Sequence, residues 1–308
     1  MSSKNWILFL VLATCWGLSW PIQKIGLTFV SPFTFVFHRF IFSAIFSLPL
    51  VPIFFDKIPR DHSTLTKLVF LSMLNLSHFI VTCVGLTKEG SGVAAVLTYT
   101  SPLFVFGLTV LFLKDKIATT GLLGSLLGFS GILVIFMNRM VPLRLQTILL
   151  LLAGAFLWAA STVYYKRCLS NVDPFVAGFL QIYLGIGPLL VVSTVSESVV
   201  YPLHTTTYFL VMLYASLAGT VIASTLWLIL VNKEDITVVS GSSFAVPIFA
   251  FLFGWMLLGE SFETKAMIGA VLVIVGVYLV NSTSRFDSHM RTFENSIKAF
   301  IQRLDNKD

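Results

Sequence analysis

Polar residues interrupt this chain only briefly, and between the breaks run apolar stretches of about twenty residues. A helix needs ~20 such residues to cross the hydrocarbon of a bilayer, whereas a barrel strand is about half as long and alternates apolar with polar positions. The runs here do not alternate, so the pattern predicts ten spanning helices, at 5–24, 33–54, 67–87, 92–113, 119–137, 146–165, 175–194, 208–230, 237–258 and 265–282. The first run lies behind Lys4 but continues through Trp20 and Pro21 without a small-residue cleavage site, so it reads as a span and not as a removable signal. After residue 283 the spacing changes. Phe286, Met290, Phe293, Ile297, Phe300, Ile301 and Leu304 recur in steps of three and four behind Ser284, which predicts an amphipathic helix lying at a cytoplasmic membrane interface or docking on a partner.

The spans fall into two copies. Trp16, Ser19, Lys24, Pro32 and Phe33 match Trp158, Ser161, Lys166, Pro174 and Phe175 at an offset of 142 residues. Lys88, Glu89, Val93, Pro102, Gly124 and Gly131 match Lys233, Glu234, Val238, Pro247, Gly269 and Gly276 at an offset of 145. The domains are therefore a first five-helix repeat over 1–139, a second over 140–283 and a tail over 284–308. An odd number of spans per copy sets the second copy upside down in the membrane. The expected fold is an all-α integral membrane protein of ten transmembrane helices in two inverted repeats. Such duplication marks secondary transporters, whose substrate site lies between the halves near the bilayer midplane.

Composition agrees with this picture and removes some rivals. A chain of 308 residues with 56% hydrophobic and 11% charged residues cannot cover a water-soluble globule of its size with polar surface. A net charge of +6 raises nucleic acid as a partner, but the cations are scattered among short loops and a tail, with no basic run interleaved with aromatics. Orientation accounts for them better. Fourteen Lys and Arg fall on the side of the N-terminus and five on the other, which places both termini in the cytoplasm of a multi-pass protein, most simply in a bacterial inner membrane. Cys15 and Cys83 lie inside spans and Cys168 at the end of one, so no disulfide framework is expected.

At these residues the chain resembles a known family. The ten spans, the tryptophan and lysine of each half's first span, the Pro102 and Pro247 spans, and the Lys114-Asp115 and Gly259-Glu260 turns are similar to EamA-type transporters of the drug/metabolite transporter superfamily, over about residues 5–282. The turns depart mildly from the family pattern, with Asp115-Lys116 in the first half and Glu260-Ser261 in the second. The resemblance implies a carrier of small organic metabolites, often amino acids, with a central cavity lined by the first, third and fourth spans of each half.

Helical spacing puts Trp16, Ser19, Trp20 and Gln23 on one stripe of the first span, and Trp158, Ser161, Thr162 and Tyr165 on the matching stripe of the sixth. Rings bury apolar area and hydroxyls fix orientation, which suits an amphipathic solute; interfacial or interhelical packing is the plainer alternative. The third span offers Asn75, His78 and Thr82 on one face, and the eighth offers Thr220, Ser224 and Trp227. Polar groups in hydrocarbon are costly unless they meet a partner or a wet cavity. His78, whose ring titrates near ~6.5 when unperturbed, is the candidate for a substrate contact or a proton-coupled step, against a hydrogen-bonded packing role.

Tyr99 and Pro102 in the fourth span, with Ser243, Phe244 and Pro247 in the ninth, suggest substrate contacts on kinked gate helices, or else static kinks. Lys24 and Lys166 recur at span ends, as membrane anchors or as gating contacts with Glu89 and Glu234. Arg39 is the one Arg or Lys inside a span, suited to recognising a carboxylate or to pairing with a carbonyl. Gly121, Gly124, Gly128 and Gly131, with Gly269, Ala270 and Gly276, allow close helix packing between the halves or between two chains of a homodimer.

No Asp or Glu falls in the interior of a span, with Glu197 at an end, so a carboxylate site for a coupling ion is missing and facilitated transport or exchange is favoured unless His78 couples. A polytopic enzyme or receptor-like protein acting on a lipid-linked or small organic ligand is the rival. An enzyme would need clustered catalytic groups, whereas the five histidines lack metal-ligand spacing and no paired carboxylates occur in a span. The expectation is a transporter, not an enzyme, of an amphipathic or zwitterionic solute such as an amino acid. Its partners are that solute and membrane lipid, and it uses no cofactor or metal.

Overall fold

The computed structural model describes residues 1–114, 119–136, 144–196, 202, 205–258 and 267–282. The Asp115 and Glu260 turns and the amphipathic tail after 283 lie outside the described residues. The described chain is helical throughout, without strands. The main helices are α1 (Ser3–Gly26), α2 (Pro32–Ser47), α3 (His62–Lys88), α4 (Val93–Leu113) and α5 (Thr119–Phe136) in the first half. In the second half they are α6 (Leu145–Cys168), α7 (Pro174–Ser196), α8 (Thr206–Lys233), α9 (Ile236–Leu257) and α10 (Met267–Ser282). Seven of these, α1, α3, α4 and α6 to α9, are long and apolar enough to cross a membrane, while α2, α5 and α10 are shorter apolar helices.

Local chemistry sets the ends. Asp61 accepts the Thr64 N–H at 2.8 Å and starts α3 ahead of the apolar run. Asp235 does the same for α9, accepting from the N–H of Thr237 at 2.8 Å and of Val238 at 3.4 Å. Asp173 accepts the Phe175 N–H at 2.9 Å and leads into Pro174, which needs no N–H at a first helical position. Helix α2 ends at Ser47, short of the expected 54, and the chain re-forms one turn over Leu50–Ile53 around Pro49 and Pro52, whose missing N–H groups cannot continue a helix.

The outward faces are apolar. Leu122, Leu123 and Leu126 on α5, and Met267, Ile268, Val271, Ile274 and Tyr278 on α10, stand exposed, an arrangement suited to lipid and costly in water. Inside, one apolar core gathers residues of α1, α3 to α6 and α8 to α10 with the start of α7, and a second gathers α2, the rest of α7 and the first half of α8 with Leu76 and Cys83 of α3.

Three irregularities matter for the site. Helix α4 unwinds at Tyr99 and Thr100, just before Pro102. Helix α9 tightens into a 3-10 turn over Ser243–Ala245, just before Pro247. Helix α8 carries a π-bulge over Leu217–Ile222, where the Thr220 hydroxyl donates to the Ala215 carbonyl five residues back at 2.9 Å. A π-bulge inserts one residue, which accounts for the last step of the changing repeat offset, from 144 to 145. Before it Ser72 corresponds to Ser216, 144 residues apart, and each hydroxyl donates to a matched carbonyl, Ser72 to Gln181 at 2.6 Å and Ser216 to Arg39 at 3.0 Å. After it Asn75 corresponds to Thr220, 145 apart.

Small residues bring matched helices together. A Cβ placed on Gly131 would lie 2.6 Å from the Gly269 carbonyl oxygen, and one on Gly276 would lie 2.6 Å from the Gly124 carbonyl oxygen. Low numbers on α5 thus face high numbers on α10, so the two helices cross antiparallel with their backbones in contact. Helices α2 and α7 also run opposed, with the Tyr183 hydroxyl donating to the Ala44 carbonyl at 2.9 Å and Phe54 stacked on Phe175 at 4.9 Å.

Candidate functional site

Between the halves lie two adjoining cavities. The larger, about 70 Å³, is bounded mainly by the first half, by Trp16, Ser19, Trp20 and Gln23 of α1, Arg39 of α2, His78, Phe79 and Thr82 of α3, and Thr98, Tyr99 and Ser101 of α4. The smaller, about 20 Å³, is bounded mainly by the second half, including Ser161 and Thr162 of α6, Gln181 of α7, and Thr220 and Trp227 of α8, with Asn75 of α3. Phe79, Trp158 and Ser224 line both. The linings correspond across the repeat: Trp16, Ser19, Trp20, Arg39, Phe79 and Thr82 match Trp158, Ser161, Thr162, Gln181, Ser224 and Trp227.

Trp158 is the hub of the aromatic wall. Its ring centroid lies 5.3 Å from that of Trp16, 5.5 Å from Trp227 and 5.2 Å from His78. The Trp227 indole donates to Thr162 at 3.3 Å, filling in the second half the space that Trp20 and Thr82 leave open in the first. Trp20 and Tyr99 meet edge to face at 6.2 Å. His78 is buried, and its Nδ1 lies 2.8 Å from the Gly154 carbonyl. A carbonyl only accepts, so Nδ1 carries a proton.

Matched polar pairs cross between the halves. Asn75 donates to the Gln181 side-chain oxygen at 2.6 Å, and at the corresponding positions Arg39 Nε donates to Thr220 at 2.6 Å. Arg39 also donates to the Gln23 side-chain oxygen at 2.8 Å and to the Gly219 carbonyl at 3.1 Å, and its guanidinium sits 4.7 Å from the centre of the Phe79 ring.

Lys24 and Lys166 turn out to bind backbone. The Lys24 ammonium donates to the carbonyls of Leu86 and Glu89, both at 2.7 Å, and Lys166 to those of Val231 at 2.6 Å and Glu234 at 3.4 Å. These are the open carbonyl ends of α3 and α8, where a helix lacks internal donors and its dipole favours a cation. Replacing Lys24 by Met strips two carbonyls of a charged donor and is expected to cost ~1–3 kcal/mol, and Lys166→Met somewhat less because one contact is longer. Thermal unfolding in detergent checks this, and an unchanged Tm for both variants would mean that the clamps hold nothing.

Several candidates stand elsewhere. Tyr165 is fully buried outside both cavities, its hydroxyl accepting from Asn232 at 2.9 Å. The Ser243 hydroxyl turns back to the Ser240 carbonyl at 2.6 Å, and Phe244 packs over Gly128 of α5. Helix α9 therefore contributes to neither cavity, unlike α4. Pro102 and Pro247 flank the two irregular turns. Phe79, Thr98 and Ser101 carry no polar-stripe signal of the kind that picks out Asn75 and His78. Phe79 and Thr98 are nonetheless the repeat mates of Ser224 and Ser243, so carrying each candidate across the offset would have found them.

The geometry thus defines a helical membrane protein with a polar and aromatic site between two repeated halves. The EamA-like transporter family profile matches residues 4–137 and 145–282, one copy on each half. The chain belongs to that family, within the drug/metabolite transporters, and is a multi-pass membrane protein. It is 27% identical over 273 residues to the uncharacterized transporter YoaV of Bacillus subtilis (strain 168), covering 86% of this chain and 92% of that one. It is 24% identical over 289 residues to a probable amino-acid metabolite efflux pump of Salmonella typhimurium, covering 91% and 95%. A solved crystal structure superposes with a TM-score of 0.77 at 16% identity, covering 92% of this chain and 99% of the other, a likeness of fold.

Proposed function

We propose that the protein is a secondary transporter that moves a small organic metabolite across a cell membrane by alternating access, its ten spans forming two inverted five-helix repeats with both termini in the cytoplasm. The observation that carries this reading is the pair of unequal cavities, about 70 and about 20 Å³, lined by matched positions of the two halves. When the halves exchange conformations the larger and smaller cavities exchange as well, and the site passes from one face of the membrane to the other. Inversion is supported by the antiparallel crossing of the α5 and α10 glycines and by the reciprocal pairs Asn75–Gln181 and Arg39–Thr220.

With the N-terminus inside, the larger cavity lies toward the outer face and the inner face is tied shut. The Ser2 N–H and the Asn5 amide both donate to one Glu234 carboxylate oxygen, at 3.0 and 2.6 Å, and Lys57 pairs with Asp173 at 2.7 Å. A cavity of about 70 Å³ is below the roughly 300 Å³ at which ligand sites begin, so a metabolite enters only as the helices part. The irregular turns beside Pro102 and Pro247 are where α4 and α9 bend. The likeness to the probable amino-acid metabolite efflux pump of Salmonella and the tryptophan-rich lining both favour an amino acid or a similar solute with an apolar portion.

Counterflow in proteoliposomes tests the reading. Liposomes preloaded with members of a metabolite library are expected to show saturable, trans-stimulated uptake of at least one of them. Trans-stimulation by no solute, or unsaturable flux at channel rates, sinks it.

A further inference from the structure

Arg39 is a buried cation without a counterion. Only 2% of its surface is exposed, and among the described residues no Asp or Glu oxygen lies within 4.0 Å of it. Asp173 and Glu234, which do form ion pairs, sit at helix ends. Of its five N–H groups three are used, by Thr220, Gln23 and Gly219, which leaves one on each terminal nitrogen. The three acceptors are neutral, and the Phe79 face offers only a weak quadrupole. Taking a guanidinium out of water is expensive unless a full negative charge comes with it. Arg39 nonetheless lines the larger cavity, beside the Trp16, Trp20 and Trp158 rings.

The second half makes the same interhelical contact without a charge. Gln181 stands at the position matched to Arg39 and bonds Asn75 as Arg39 bonds Thr220. Holding the helices together therefore needs an amide at most, and the charge is surplus to packing. It is also the one fixed charge among the described residues that bound either cavity.

We propose that Arg39 makes the cavity selective for solutes that carry a carboxylate, binding that group on its remaining N–H groups while the apolar part of the solute lies among the tryptophans. This rests on the transport reading for its physiological meaning, but it concerns binding and is testable without flux. The bound carboxylate supplies the charge that the protein does not, so the positive charge is compensated only when the site is loaded. Solutes of equal shape without a carboxylate leave the guanidinium desolvated and unpaired.

The test uses purified full-length protein in nanodiscs and equilibrium binding read by calorimetry and by the indole fluorescence of the cavity. The probes are benzoate, phenylacetate and 3-phenylpropionate, each set against its neutral amide and its amine. At least one carboxylate is expected to bind about tenfold or more tightly than its amide, the margin of a charged hydrogen bond over a neutral one. Arg39→Gln, which copies the matched residue Gln181, is expected to erase that margin, so that carboxylate and amide bind alike, and to lower Tm through the lost contacts to Gln23 and Gly219. Equal binding of carboxylate and amide by the wild-type protein overturns the proposal, as does failure of every carboxylate to bind; both outcomes hold even if the variant does not fold. Selective carboxylate binding without counterflow would instead count against transport alone.

Discussion

Replacing Gly276 by Ala should lower the thermal stability of the protein sharply. A Cβ at that position would sit 2.5 Å from the Gly128 nitrogen, 2.6 Å from the Gly124 carbonyl oxygen and 2.7 Å from the Gly128 Cα. All three are backbone atoms of a helix and cannot rotate away, so α5 and α10 must separate along their contact. Overpacking of this kind costs ~1–3 kcal/mol, with the larger figure expected where backbone and not side chain is struck. Gly131→Ala should behave alike, since its Cβ would meet the Gly269 carbonyl oxygen at 2.6 Å and the Val273 nitrogen at 2.7 Å. Gly107→Ala is the control: nothing lies within 4 Å of its Cβ position, and a helical alanine there should leave Tm unchanged or slightly raised. If Gly276→Ala and Gly107→Ala unfold together in detergent, α5 and α10 do not touch as described.

Trp158→Ala is expected to abolish most transport, by tenfold or more in counterflow rate, with a smaller loss from Trp158→Phe. The ring borders both cavities and touches Trp16, Trp227 and His78, so its removal merges the two spaces and deletes three aromatic contacts at once. Each such pair contributes ~0.5–1.5 kcal/mol beyond area burial. Stability should therefore fall too, and the phenylalanine variant separates the effects, because it keeps a ring but shortens the reach across the site. Wild-type counterflow by a folded Trp158→Ala protein would remove the hub from the mechanism. Tyr165, two turns further along and tied to Asn232, is the comparison: Tyr165→Phe should disturb packing locally and leave the cavity walls in place.

The repeat was legible because duplication preserves residue identity. Trp16 and Trp158, Lys24 and Lys166, and the four glycines at 124, 131, 269 and 276 all stand out at two offsets. The helix glycines could be assigned to close packing for the same reason, since only absent side chains allow backbone contact. What could not be seen was the choice of opposite neighbour. Tyr165 shares a helical stripe with Trp158 and Ser161, yet the stripe runs beyond the cavity and its last member ends among α8 residues. Ser243 and Phe244 match Thr98 and Tyr99, yet the matched segments sit differently: one is unwound beside the cavity, the other is a tight turn pressed on Gly128. Lys24 and Lys166 were paired by sequence with acidic residues, and the structure gives them the carbonyls of those same turns, because the end of a helix is itself an acceptor.

By itself the sequence determined the helical class, the duplication, the membrane setting and the small-residue faces of α5 and α10, all of which follow from local polarity, period and identity. Only the tertiary structure decided that a one-residue π-bulge in α8 changes the repeat offset from 144 to 145, that Arg39 meets Thr220 and Gln23 and no acid, and that the two cavities differ in size. Periodicity reports which face of a helix is polar. Which partner that face meets depends on how helices distant in sequence cross, and no local pattern carries that information.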